Sequence, residues 1–148
     1  MKIIFLDIDG VLNNHASLAE GVHILNEKCQ LIGRIVDATE AQIVISSTWR
    51  MGMLIETLNI MLWKTGGPYK AIIAATPVIN PANIRGEEIQ AWMVGAKERG
   101  KEISHYIIID DDSDMLPEQM EFFIKTDMRT GLTTKAALQA IEMLNKPL

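Results

Sequence analysis

Apolar and polar positions follow two alternating rhythms along this chain. Short solid apolar runs occur at Ile3-Ile4-Phe5-Leu6, Ile43-Val44-Ile45, Ala71-Ile72-Ile73-Ala74, Tyr106-Ile107-Ile108-Ile109 and Phe122-Phe123-Ile124. Runs of this length without polar alternation suit strands buried on both faces, as in a parallel sheet. Between them, apolar residues recur at helical spacing. Cys29, Ile32, Ile35 and Val36 form one such stripe, with Asn26 as the expected N-cap. Met53, Leu54, Thr57, Leu58, Met61 and Leu62 form a second. Ile89, Trp92, Met93 and Ala96 make a third, in a helix opened by Arg85. Ala137, Leu138, Ile141 and Leu144 make the last, stopped by Asn145-Lys146-Pro147. Strands that alternate with helices predict an α/β fold, with helices on both faces of a mainly parallel sheet. The polar stretch from Asn13 to His23 is expected to be a loop, and so is Thr76 to Ile84, with two prolines and two asparagines.

Composition narrows the class. The chain has 148 residues, 48% of them hydrophobic, enough for the core of one domain spanning 1–148. The net charge of −5 argues against a broad nucleic-acid or anionic-membrane surface, though it leaves room for a local phosphate pocket. Cys29 is the single cysteine and sits on an apolar stripe, so it reads as core filler in a reducing cytosol. No apolar run is long enough to span a membrane. A cytoplasmic protein is expected.

The chemistry gathers where the apolar runs end. The first run stops at Asp7, followed by Asp9 and by Gly10, which permits a sharp turn. In open α/β sheets ligands bind at the carboxyl ends of strands. Two carboxylates there suit a hard cation and covalent or acid–base work. An EF-hand loop would need its glycine at the sixth position, and here it is the fourth. The second run ends in Ser46-Ser47-Thr48-Trp49-Arg50. Small hydroxyl residues between a strand and a helix can bind phosphate oxygens or simply cap the helix. Arg50 is placed either to reach a phosphate or to pair structurally. Arg85 is a cation at a helix N-terminus, which the helix dipole disfavours, so it needs another reason. The fourth run ends in Asp110-Asp111-Asp112-Ser113-Asp114, four acids in five positions. Such a cluster repels itself unless a cation is present, and its oxygens suit Mg²⁺. Asp112 is expected to face solvent. His15, close after Asp9, is a candidate substrate contact.

Phe-Leu-Asp-Ile-Asp-Gly-Val-Leu at residues 5–12 resembles the first motif of the haloacid dehalogenase (HAD) superfamily. The resemblance covers nearly the whole chain, with the motifs in the superfamily's order. It implies Asp7 as nucleophile and Asp9 as acid/base. It gives Ser46, with Ser47 as the near alternative, the phosphate-binding hydroxyl. Arg85 stands where the superfamily most often has Lys. Asp110 and Asp111 match the acidic pair, and Asp114 the later spaced acid. Mg²⁺ would be held by Asp7, the Asp9 backbone carbonyl and Asp110 or Asp111. The intervals between motifs leave no room for a separate cap domain, so the resemblance implies a capless, three-layer α/β/α Rossmann-like member. The Ser-Ser-Thr-Trp-Arg run looks like a small subgroup seen in RNA-repair proteins.

The implied activity is Mg²⁺-dependent hydrolysis of phosphate monoesters through an aspartyl-phosphate on Asp7. The expected substrate is a small phosphorylated molecule or a nucleic-acid end. Two other readings stand beside it: a receiver-like phosphoacceptor and a non-catalytic interaction module on the same scaffold. A receiver would carry its acceptor Asp after the third strand, where this chain has Ala74-Ala75-Thr76.

Overall fold

The computed structural model describes residues 1–79 and 84–148. Five strands form one parallel sheet: β1 (Lys2–Leu6), β2 (Gln42–Ile45), β3 (Ile72–Ala75), β4 (His105–Asp110) and β5 (Phe123–Lys125). Their order across the sheet is β3-β2-β1-β4-β5. The chain steps outward from β1 to β3, then returns to lay β4 on the other side of β1. Strand order therefore reverses between β1 and β4, which opens the crevice where α/β sheets take ligands.

The helices are α1 (His15–Ala19), α2 (Asn26–Thr39), α3 (Ile55–Lys64), α4 (Arg85–Glu98) and α5 (Thr134–Leu144). Side-chain alternation divides the core into two layers. Ile4, Leu6, Ile43, Ile45, Ile107 and Ile109 point to the face covered by α2, α3 and α5. Ile3, Phe5, Val44 and Ile108 point to the other face, against Ile89, Trp92 and Ala96 of α4. Residues Ile3 to Leu6 are wholly buried, as an apolar run in a sheet covered on both faces must be. Cys29 lies in the α2 layer of this core, as expected of a filler residue. The expected three-layer architecture is the one observed, and among the described residues no second domain stands over the sheet. No helix among them is long and apolar enough to cross a membrane.

The differences from expectation are local. The stretch after Asn13 is not wholly loop, because Asn14 starts α1 with a reciprocal side-chain cap on Ser17. One and a half helical turns leave no periodicity to read. Asn26 is the first residue of α2 and does not cap it; Leu25 holds that place without a side-chain bond. Met53 and Leu54 are exposed ahead of α3, since the chain first makes a 3₁₀ turn over Thr48–Met51. A second 3₁₀ turn, Pro117–Phe122, delays β5 by one residue. In α5 the buried positions are Ala137, Ala140 and Leu144, spaced three and four apart, which turns Leu138 outward at 54% exposure.

Candidate active site

The site is built from residues at the carboxyl ends of the strands and just past them. Leu6 of β1 pairs with Ile45 of β2 and Ile109 of β4, so Asp7, Ser46 and Asp110 stand level one step further on. Backbone bonds hold this level: Asp7 N–H donates to Ile109 and Ser46 N–H donates to Leu6. The Asp7 carboxylate is buried, with only 7% of the residue exposed. Its Oδ1 accepts from Arg85 Nη1 at 3.2 Å. The same nitrogen lies 3.4 Å from Asp110 Oδ2, which is buried and has no hydrogen-bond partner. Arg85 is the first residue of α4, and its charge bridges the two carboxylates. That contact is the further reason its position required.

The electrostatics follow from crowding acids out of water. Burial pushes Asp7 up to about 6, only partly countered by Arg85. Burial, then the charge of Asp7, pushes Asp110 up to about 8. Burial alone would lower Arg85, but Asp110, Asp7 and Asp114 outweigh it and hold the guanidinium firmly charged.

Asp111 completes the cluster. Asp7, Asp110 and Asp111 each offer an oxygen, all within 4.8 Å of one another. Gly10 makes the approach possible. Its φ is 81°, and a Cβ there would stand 2.5 Å from Cγ of Asp111. Asp114 is not in that set of three but borders it: its Oδ2 accepts from the N–H of Arg85 and its carbonyl from that of Gly86 at the start of α4, and its Oδ1 is buried with no partner. Asp112 is exposed, as expected.

Asp9 has different surroundings. Its Oδ1 accepts from Asn13 Nδ2 at 2.9 Å and its Oδ2 from Trp49 Nε1 at 3.3 Å. Asn13 is itself fully buried, accepting from Gly10 N–H and donating to the His23 carbonyl. One amide thus fixes both the turn and the second carboxylate.

The two serines divide. Ser46 Oγ is buried with no partner. Ser47 Oγ accepts from Trp49 N–H and caps the 3₁₀ turn. Arg50 turns inward to pair structurally. Its Nη1 donates to the carbonyls of Ser46 and Ser47, its Nε to that of Thr76, and its Nη2 meets Glu88 of α4 at 2.9 Å. His15 is exposed on α1, with its N–H on Met128. Of the loop from Thr76 to Ile84, residues 80–83 lie outside the described residues.

Several participants were not singled out from sequence. Asn13 and Glu88 sit among ordinary polar residues, and Trp49 stands out only as part of the Ser-Ser-Thr-Trp-Arg run. Thr76 carries no pattern at all. The one available signal was position, since each lies within a few residues of a strand end or helix start.

The parallel sheet, with this constellation at its carboxyl edge, is the arrangement of a HAD-type domain. Over residues 3–137 the chain matches the family described as the HAD domain in Swiss Army Knife RNA repair proteins, and it belongs to that family. The fold is also that of a D,D-heptose 1.7-bisphosphate phosphatase from B. bronchiseptica, solved in complex with magnesium and phosphate. The two are 16% identical, with a TM-score of 0.52, over 99% of this chain and 100% of that one. No curated protein matches the chain.

Proposed function

We propose that the chain is a Mg²⁺-dependent phosphomonoesterase that acts through an aspartyl-phosphate on Asp7. The observation that carries this reading is the buried Asp7 carboxylate, held by the Arg85 guanidinium beside the carboxylates of Asp110 and Asp111. In the first step an Asp7 oxygen attacks phosphorus and the bond to the leaving oxygen breaks. Asp9 gives that oxygen its proton. In the second step Asp9 takes a proton from water, whose oxygen attacks phosphorus and frees Asp7. Ser46 Oγ donates to a phosphoryl oxygen, and Arg85 offsets the charge of nucleophile and substrate together. The bonds from Asn13 and Trp49 keep the Asp9 carboxylate turned to one orientation throughout.

The residues fit Mg²⁺. Three carboxylate oxygens lie within 4.8 Å of one another, Asp110 Oδ2 is buried without a hydrogen bond, and no softer donor is present in the set. Asp7, Asp110 and Asp111, with the Asp9 carbonyl, would hold the ion. When bound, it supplies positive charge against the meeting of an anionic ester with an anionic nucleophile.

The proposed substrate class is a nucleotide or a nucleic-acid terminal phosphate. The matched family is described as a domain in RNA repair proteins, and among the described residues no second domain covers the sheet edge, which leaves room for a large substrate. With a net charge of −5 the surface offers little grip on a long polyanion. The test is a phosphatase panel over nucleotides, sugar phosphates and oligonucleotides with terminal phosphates, with and without Mg²⁺. Activity should need Mg²⁺, vanish in Asp7→Asn, and favour nucleotide phosphates. The kcat/KM should stop rising beyond one or two nucleotides. A preference for sugar phosphates would overturn the substrate class, and retained activity in Asp7→Asn would overturn the mechanism.

A further inference from the structure

The level row at the sheet edge has a fourth member. Ile45 of β2 pairs with Ala75 of β3, so Thr76 stands one step past that pair, as Ser46 does past Ile45. Thr76 N–H donates to the Ile45 carbonyl and keeps it there. Across the sheet the row runs Thr76, Ser46, Asp7, Asp110. Side-chain alternation also gives its face. Ala74, Val44, Phe5 and Ile108, each two residues earlier, all pack in the layer beneath α4. Their successors face the same side, and Asp7 and Asp110 do meet Arg85 of α4 there.

Thr76 and Ser46 share a further property. They are 4% and 0% exposed, and neither hydroxyl has a hydrogen-bond partner. A buried hydroxyl left unpaired is costly, so two neighbours in that state want explaining. They are also held by one group, because Arg50 donates from Nε to the Thr76 carbonyl and from Nη1 to the Ser46 carbonyl. Neighbouring strands stand about 4.8 Å apart. Hydroxyls at that spacing are too far apart to bond each other. A single oxygen placed between side chains carried at that strand spacing would come within hydrogen-bond reach, about 2.7 Å, of both.

We propose that Thr76 is a second hydroxyl ligand of the substrate. Thr76 Oγ1 and Ser46 Oγ together grip the phosphoryl oxygen on the side of Asp7 away from Asp110. The ligand is an anionic ester oxygen, and the inference rests on the reading of Asp7 as the phosphate site. The geometry gives the pair a division of space: the Asp7, Asp110 and Asp111 oxygens take the cation side of the phosphoryl group, and the two hydroxyls take the other.

The test uses the whole chain, Mg²⁺ in the buffer and inorganic phosphate as probe. Binding is read by calorimetry and, independently, as competitive inhibition of phosphatase activity. Thr76→Val keeps the shape and removes the hydroxyl; Thr76→Ser keeps a hydroxyl. Phosphate should bind Thr76→Val roughly ten- to a hundredfold more weakly, since a bond to a charged group is lost. Thr76→Ser should recover most of the affinity. Because both hydroxyls hold one oxygen, the losses in Thr76→Val and Ser46→Ala should not add in the double variant. If Thr76→Val folds poorly by its melting temperature, Thr76→Ala replaces it in the same cycle. Equal phosphate affinity in wild type and Thr76→Val would overturn the proposal and leave a bridging water as the hydroxyls' partner. If wild type itself binds no phosphate, the phosphatase reading falls and takes this one with it.

Discussion

At the scale of single residues, two aspartates two positions apart have opposite surroundings. Asp7 is buried against Arg85, while Asp9 is half-buried with a donor on each carboxylate oxygen. On the proposed mechanism this difference divides their work. A buried carboxylate beside a cation suits attack on phosphorus, and a carboxylate at the mouth suits proton traffic with the leaving group. Asp9→Asn should lower kcat by about 10²- to 10⁴-fold on an alkyl phosphate, the range for lost general acid–base catalysis. An activated aryl phosphate needs little protonation and should suffer less. Trp49→Phe removes one oriented donor to Asp9 and should show the same preference at smaller size, about tenfold on the alkyl ester. Equal losses on both esters, measured as kcat, would mean that neither side chain serves the proton. Asp7 and Ser46 stand out in the sequence because each directly follows an apolar run, and Asp9 because it comes two residues after Asp7. Arg50 was legible only as an alternative. A long side chain can swing several ångströms, and the carbonyls it binds exist as a set only after β2 and β3 are aligned.

At the scale of elements, α4 is the piece that must be placed well. It carries Arg85 at its first residue and Glu88 one turn later, on the side that meets the sheet edge. Arg50 holds Glu88, and through Glu88 it ties α4 to the ends of β2 and β3. Both side chains of this pair are buried. Removing one partner leaves the other charge uncompensated. Arg50→Ala should therefore cost about 3–5 kcal/mol of stability in denaturant titration. Arg50→Lys should recover little, since an ammonium lacks the planar fork that serves three carbonyls and a carboxylate. A cost near zero in Arg50→Ala would mean that α4 is held by its apolar face alone. The strands and long helices of this arrangement were readable from period alone. The short α1 and both 3₁₀ turns were not, because their local caps, such as Asn14 on Ser17, leave no repeating pattern.

At the scale of the whole molecule, the sheet gathers charges that its own folding makes costly, and this fixes how stability responds to pH. Asp7 rises from 3.8 to about 6 and Asp110 from 3.8 to about 8 on folding without metal. Between roughly pH 4 and 8 the folded chain thus holds more protons than the unfolded one. Stability must then fall as pH rises through that window, since ν_U − ν_N is negative there. Asp127, held low near 2 by Arg129, acts in the opposite sense but only below that window. Melting temperature in EDTA should accordingly decline from pH 5 to pH 8. Mg²⁺ binds the ionised carboxylates of the folded state, so it should restore stability, and by more at pH 8 than at pH 5. A variant with Asp110→Asn and Asp111→Asn should lose most of the Mg²⁺ gain and the part of the decline between about pH 6 and 8, while the part below about pH 6, which buried Asp7 supplies, remains. The check is a grid of thermal melts over pH and Mg²⁺ concentration for the two proteins. A flat wild-type profile in EDTA would mean that Asp7 and Asp110 keep ordinary acidity despite burial. An equal Mg²⁺ gain in both proteins would place the cation away from this edge of the sheet.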